Sequence, residues 1–423
     1  MDSYRKTLLP LILLTFVFLT SLFSVARVFT KTGLQGVDFH SYWHNGHFIW
    51  QGVDPYRAAL EGRKPSLPIK YLDGQIVVEG SLGVHHWQGL PANTAPIVLL
   101  LSLLSRLSWS NALIIWRWMN LGLALLIPWL LVKILQGNFF SRQGLLVSSV
   151  FLSLIAFRET IEYGQTSLLV FALMLAAWYW GQRHPICGGI SLGIALSKYS
   201  LTFPVALLFV YKKWLKAAII SALVQVVTAW LLALITQTSL LDIARSYVQV
   251  FNLHKSLPGV HLSASVFEAW GLPSFGWLVA FSVLIFALLV KWYFGQKDSR
   301  VRFSHITEFN LVTIIALWNL LTFYHRRYDN IIGILFIALL VLCVPRANVQ
   351  GAGSIFYSLL SRSKWVVYGL SVGIGLIWVM PVYLLVGEQL YRILYTLANL
   401  VALALATWLL FRIRLVETKG QIY

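Results

Sequence analysis

Apolar runs recur along nearly the whole chain, from Thr7–Phe29 near one end to a last run reaching Leu410, and few charges interrupt them. Runs at 7–29, 111–135, 216–236, 276–294, 306–323, 365–386 and 388–411 are near the length of about 20 residues that a helix needs to cross a bilayer. Shorter ones lie at 91–105, 144–157, 166–182, 185–197, 200–211 and 329–344. With 58% of residues hydrophobic and 11% charged, a water-soluble globule could not cover this apolar surface, so lipid is the expected solvent. The first run follows Arg5 and Lys6 and is longer than the apolar core of a signal peptide, so it reads as a retained first span.

The formal charge is +18. The cations do not form one basic face for nucleic acid. They sit in clusters between apolar runs: Lys212, Lys213 and Lys216; Lys297, Arg300 and Arg302; Arg362 and Lys364; Arg412, Arg414 and Lys419. Such clusters mark cytoplasmic loops. With the N-terminus inside, loops 30–90 and 237–275 face outward, as do Lys198 and the segment 324–329. An even number of crossings brings both termini inside. The short segment 91–105, which opens on PANTAP, is therefore read as re-entrant or interfacial, leaving about 12 spans. The pair 185–197 and 200–211, broken at SKYS, reads as a hairpin of half-helices of the kind that lines a cavity. The expectation is an all-α polytopic membrane protein, one integral-membrane domain over residues 1–423, in the cell membrane. Cys187 and Cys343 form no CxxC or metal-binding pattern.

Directly behind the first span comes GVDFHSYWHNGHFIWQGVDPYR (36–57). At helical spacing Phe39, Tyr42, Trp43, Ile49 and Trp50 share one face, and His40, His44 and His47 another. That pattern predicts an amphipathic helix lying at the membrane surface with its rings toward the headgroups. Gly52, Asp54 and Pro55 end it in a turn. Asp38 stands where an N-cap is expected; a carboxylate at the membrane edge beneath an aromatic platform also suits a general base. The two roles are compatible. The three histidines could bind a metal, with His85 and His86 in reserve, or be ordinary interfacial residues. They lack the intervening Glu of a zincin motif.

Other polar groups punctuate the spans. Glu159 and Glu162, in FRETIEYGQ, stand one helical turn apart beside Arg158, which offers an ion pair. Lys198, His325, Arg326 and Arg327 put cations on the outer side. They suit phosphate binding, Arg bidentately and Lys as a point charge, or snorkelling at span ends. The loop segment FNLHKSLPGVHLSAS (251–265) could cover a site, bind an acceptor or simply connect spans.

An Asp soon after the first span, a Tyr-Trp helix and a GxDPY turn together resemble the polyprenyl-phosphate-sugar-dependent transferases of glycosyltransferase family 87. PANTAPIVLLL (91–101), YGQTSLLVFALMLAAW (163–178), GGISLGIALSKYSLTFPVALLFVYKKW (188–214) and YHRRYDN (324–330) follow in the family's order. The doubled proline of its YPP-type start is missing, and Thr166-Ser167 replaces the usual Asn of GQxN. The resemblance implies a GT-C fold with an extracytoplasmic active site and inverting transfer. It carries the base onto Asp38. The chemistry of such a transfer then gives Lys198, His325, Arg326 and Arg327 as donor-phosphate ligands and Tyr42, Trp43 and Gln165, the last placed toward the sugar, as substrate contacts.

The implied partners are a polyprenyl-phosphate sugar donor with a hexose, mannose by family weight, a lipid or glycan acceptor, and membrane lipid. With cations to hold the leaving phosphate, no metal and no other cofactor is expected. The alternative is a transporter or lipid-linked-sugar flippase, which predicts ionisable groups at mid-membrane depth and repeat symmetry. Here the polar groups cluster at span ends. A polysaccharide ligase or polymerase would place its main polar loop late in the chain.

Overall fold

A computed structural model of the chain describes residues 19–23, 36–61, 93–255, 305–322, 327–343 and 388–419, with a few isolated positions elsewhere. Among the described residues every regular element is helical: α1 (Val37–Trp50), α2 (Pro55–Leu60), α3 (Ala95–Ser102), α4 (Trp109–Ile134), α5 (Arg142–Ser153), α6 (Ile155–Tyr163), α7 (Ser167–Trp180), α8 (Pro185–Ala195), α9 (Tyr199–Tyr211), α10 (Leu215–Ile235), α11 (Leu240–Lys255), α12 (His305–Thr322), α13 (Ile334–Cys343) and α14 (Glu388–Lys419). Short 3₁₀ turns occupy Leu103–Arg106, Leu196–Lys198 and Arg327–Gly333. The chain forms two compact units. One holds Val28–Ala124 and Glu159–Pro258; the other holds Met1–Arg27, Leu125–Arg158 and Gly259–Tyr423.

Helix ends follow local chemistry. Asp54 accepts the Tyr56 amide at 2.9 Å and so caps α2, which has Pro55 at its first position. Ser141 accepts the Gly144 amide at 3.1 Å at the start of α5. Helices α4, α9 and α10 stop at Gln136, Lys213 and Gln237, all at positive φ near 50–60°. The next amides, of Gly137, Trp214 and Thr238, reach back to the carbonyls of Val132, Phe209 and Ala233 at 2.7–3.0 Å. These reach-back bonds satisfy the terminal carbonyls without glycine at the left-handed position.

Three helices of the described residues are long and apolar enough to cross a bilayer: Trp109–Ile134, Pro185–Tyr211 and Leu215–Ile235; α5 and α6 form a fourth if taken as one bent span. The expected crossings at 276–294 and 365–386, and most of 7–29, lie outside the described residues. Ala95–Arg106 is apolar but too short to cross.

The expected hairpin at 185–211 is not formed. Its 27 residues run as one span through the 3₁₀ turn, roughly 40 Å long at 1.5 Å per residue. Side chains serve the broken backbone: Thr202 Oγ1 donates to the Ala195 carbonyl at 3.1 Å and to that of Lys198 at 3.2 Å. A polar break need not reverse a chain when its freed carbonyls find such donors.

In the first unit α8 packs on α10 with almost no space between backbones. A Cβ on Gly189 would stand 2.6 Å from Ile220 Cβ and 2.7 Å from the Ala217 carbonyl oxygen; on Gly193 it would stand 2.6 Å from Val224 Cβ. The Gly189/Gly193 spacing is the small-xxx-small pattern of membrane helix pairs. In the second unit α12 packs on α14 and α13 on α5. Asn310 Nδ2 donates to the Ala406 carbonyl at 3.1 Å, tying α12 to α14.

Candidate active site

The first-loop helix differs from its expectation in two ways. Its N-cap is Gly36, at φ 78°, with no side-chain capping bond, and Asp38 already lies in the first helical turn. The carboxylate is thus not the N-cap, although the positive end of the helix still favours its charge. Nor does the aromatic face meet a membrane surface: Phe39, Tyr42, Trp43 and Ile49 are buried, and Trp50 alone of that face is exposed. The rings are used in packing. Phe39 stacks on Trp116 with centroids 5.1 Å apart, and Trp43 Nε1 donates to the Leu107 carbonyl at 3.1 Å. An apolar stripe reads alike in sequence whether it meets lipid headgroups or another helix.

The turn between α6 and α7 holds the start of α1. Gly36 donates its amide to the Glu162 carbonyl at 2.8 Å. Gly164, at φ +69°, lies so close that a Cβ there would stand 2.6 Å from Phe39 Cβ and 3.1 Å from Gly36 Cα. Its carbonyl accepts Trp116 Nε1 at 3.0 Å. With both backbones fixed, the next residue, Gln165, donates its side-chain amide to the Asp38 carboxylate. Asp38 is half-buried and Gln165 buried.

Two further residues of the same turn engage other sequence-predicted groups. Thr166 Oγ1 accepts from Asn93 Nδ2 at 3.0 Å, and that amide also donates to Tyr42 Oη at 2.8 Å. Ser167 Oγ accepts from Lys198 Nζ at 2.8 Å. Gln165, Thr166 and Ser167 thus bind, in order, Asp38, the Asn93–Tyr42 pair and Lys198. One three-residue turn gathers the predicted base and a predicted phosphate ligand.

Asn93 is the residue that sequence reasoning did not single out. It is fully enclosed, at 2% exposure, and its carbonyl accepts Tyr56 Oη at 2.9 Å. The following residues continue the network. Thr94 Oγ1 donates to Gln225 Oε1 at 2.9 Å, and Gln225 Nε2 to the Gly193 carbonyl at 2.6 Å. Ser197 Oγ accepts the Ile97 amide at 3.2 Å, serving an orphan donor at the start of α3. The signal for Asn93 is an Asn between two prolines at the mouth of an apolar run.

Among the other predicted site residues, Tyr42 and Trp43 are buried with their polar atoms bonded inside the protein. His325 and Arg326 lie outside the described residues, as do His85, His86 and His261. Arg327 opens a 3₁₀ turn of the second unit. Glu159 is buried. The second-loop segment is helical as α11 up to Lys255 and packs on α2.

The histidine face is packed among rings. His40 lies 5.0 Å from Trp109 edge-on and 5.8 Å from His44. Among the described residues no group of three or more His, Cys, Asp or Glu side chains could hold a metal ion. Burial lowers His40 from its ordinary 6.5 to about 4, with His47 adding to the shift. The folded protein therefore keeps His40 neutral where the unfolded chain takes up a proton. Its contribution is intact above about pH 6.5 and is lost as the pH falls from there to about 4. The thermal midpoint of detergent-purified protein is expected to fall over that interval, and to fall less in His40→Gln. Parallel curves for the two proteins would show that another group sets the dependence.

Compared with known proteins, the chain matches the family model of glycosyltransferase family 87 over residues 93–347. No curated protein and no solved structure matches it. The matched range contains Gln165 and Lys198 and begins at Asn93. Asp38, Tyr42 and Trp43 precede it; Asp38 and Tyr42 join it through the Gln165 and Asn93 hydrogen bonds.

Proposed function

Given that the chain belongs to glycosyltransferase family 87, and so moves a sugar from a donor to an acceptor, we propose that its donor is a polyprenyl-phosphate-linked hexose, mannose foremost, used on the extracytoplasmic face to extend a lipid or glycan acceptor. The observation that carries this reading is the turn at 165–167, which bonds a half-buried carboxylate and a lysine ammonium. In-line displacement needs both. The acceptor oxygen attacks C1 of the sugar while its proton passes to Asp38. The C1–O bond to phosphate breaks with its electron pair staying on the phosphate oxygen, and polyprenyl phosphate leaves. Lys198 would balance that charge. Inversion at C1 follows from a single displacement. The long apolar helices suit a donor whose prenyl chain stays in lipid.

The test is to give purified protein a labelled polyprenyl-phosphate-mannose and an extract of lipids and glycans as acceptor pool. A new covalent product is expected. Movement of intact donor across a vesicle bilayer with no product would establish the transporter instead.

Because cationic side chains carry the leaving phosphate in this scheme, excess chelator is expected to leave the transfer rate unchanged. A loss restored by a divalent ion would contradict it and turn attention to the histidines.

A further inference from the structure

We propose that Gln165 is the positioning residue of this site: its amide fixes the orientation of the Asp38 carboxylate and holds it ionised. This rests on the reading of Asp38 as the base. Gln165 Nε2 donates to Asp38 Oδ2, and the two backbones that present these groups are tied independently of that bond. Gly36 N meets the Glu162 carbonyl at 2.8 Å, and Gln165 N meets the Thr160 carbonyl at 2.8 Å. The contact of Gly164 with Phe39 leaves no room for α1 to move toward the turn. Thr166, anchored by Asn93, secures the residue after Gln165. Neither partner can drift away without breaking other bonds.

The chemistry of an amide sets what this contact does. Gln165 has no proton to exchange at ordinary pH, so it does not take the acceptor's proton; that remains the work of Asp38. A donor aimed at a carboxylate favours its charged form, opposing the effect of partial burial. It also holds one carboxylate oxygen, so the plane of the group is set before substrate arrives, as catalysis by positioning requires. The same turn passes through Ser167 to Lys198, so the base and a phosphate ligand share one rigid support.

The inference is read from pH–rate profiles of kcat/KM with polyprenyl-phosphate-mannose and the extract acceptors, for wild type, Gln165→Leu, Gln165→Glu and Asp38→Asn. Loss of the amide in Gln165→Leu should move the acid limb upward by about one pH unit and lower the plateau. Gln165→Glu keeps the native shape but sets a second carboxyl against Asp38; the pair then titrates together, and the limb should move further. A Gln165 that serves structure alone would lower the melting temperature and leave the limb in place. Limbs coinciding with wild type in folded variants would overturn the inference while leaving the transferase reading intact. Where Gln165→Leu does not fold, the isosteric Gln165→Glu decides. Undiminished transfer by Asp38→Asn, or none by wild type, would instead remove the reading beneath it.

Discussion

Replacing Gly164 by valine is expected to abolish the folded protein. The residue sits at φ +69°, and a Cβ there would meet Phe39 Cβ at 2.6 Å, Gly36 Cα at 3.1 Å and Phe39 N at 3.3 Å. Two of these three neighbours are backbone atoms, which no rotamer change can withdraw. A left-handed conformation costs a non-glycine residue about 1–3 kcal/mol, and overpacking adds about 1–3 kcal/mol. The sum is a large share of a stability of about 5–15 kcal/mol. Detergent-extracted Gly164→Val should yield no monodisperse peak in size-exclusion chromatography, and Gly164→Ala should give a lowered melting temperature. Gly122→Ala is the control: nothing lies within 4 Å of its added Cβ, and alanine is the better helix former. A monodisperse Gly164→Val melting with wild type would refute the close contact between α1 and the α6–α7 turn.

Much of the first unit is legible in the amino-acid sequence. The runs at 111–135 and 216–236 are the helices Trp109–Ile134 and Leu215–Ile235, because long apolar stretches have one way to satisfy their backbone in lipid. Asp54 is readable as a turn starter from the Asp-Pro step. Which neighbour each face meets is not readable. His40, His44 and His47 look like a wet face in sequence, yet the rings of His40 and Trp109 are in contact. SKYS looks like a reversal, yet the chain continues because Thr202 serves the freed carbonyls. Asn93 looks like a departure from a proline pattern and is the hub joining Tyr42, Tyr56 and Thr166. Asp38 can be placed near a helix start, but only the backbone shows that Gly36 takes the cap position, and only the fold brings Gln165 to it across 127 residues of sequence.

Asp38→Asn carries the largest expected loss of chemistry. Asparagine keeps the size of the side chain and still offers an oxygen to the Gln165 amide, so the helix start and the turn remain in place. It cannot accept the acceptor's proton as a carboxylate does, and it brings no negative charge to stabilise the developing positive character of the attacking oxygen. Removing a general base costs about 10²–10⁴-fold in rate, whereas a purely structural Asp38 would give a variant that melts lower and transfers normally once folded. Donor binding should be unchanged, since in this scheme Lys198 rather than Asp38 meets the phosphate, so the loss belongs in kcat rather than in KM.

The decisive measurement is the rate of product formation from labelled polyprenyl-phosphate-mannose by purified wild type and Asp38→Asn, side by side and with matched melting temperatures. Transfer by wild type, and a fall of about a hundredfold or more in the variant, is the result that an Asp38-dependent transfer from a lipid-linked donor requires. Equal rates for the two folded proteins would contradict it.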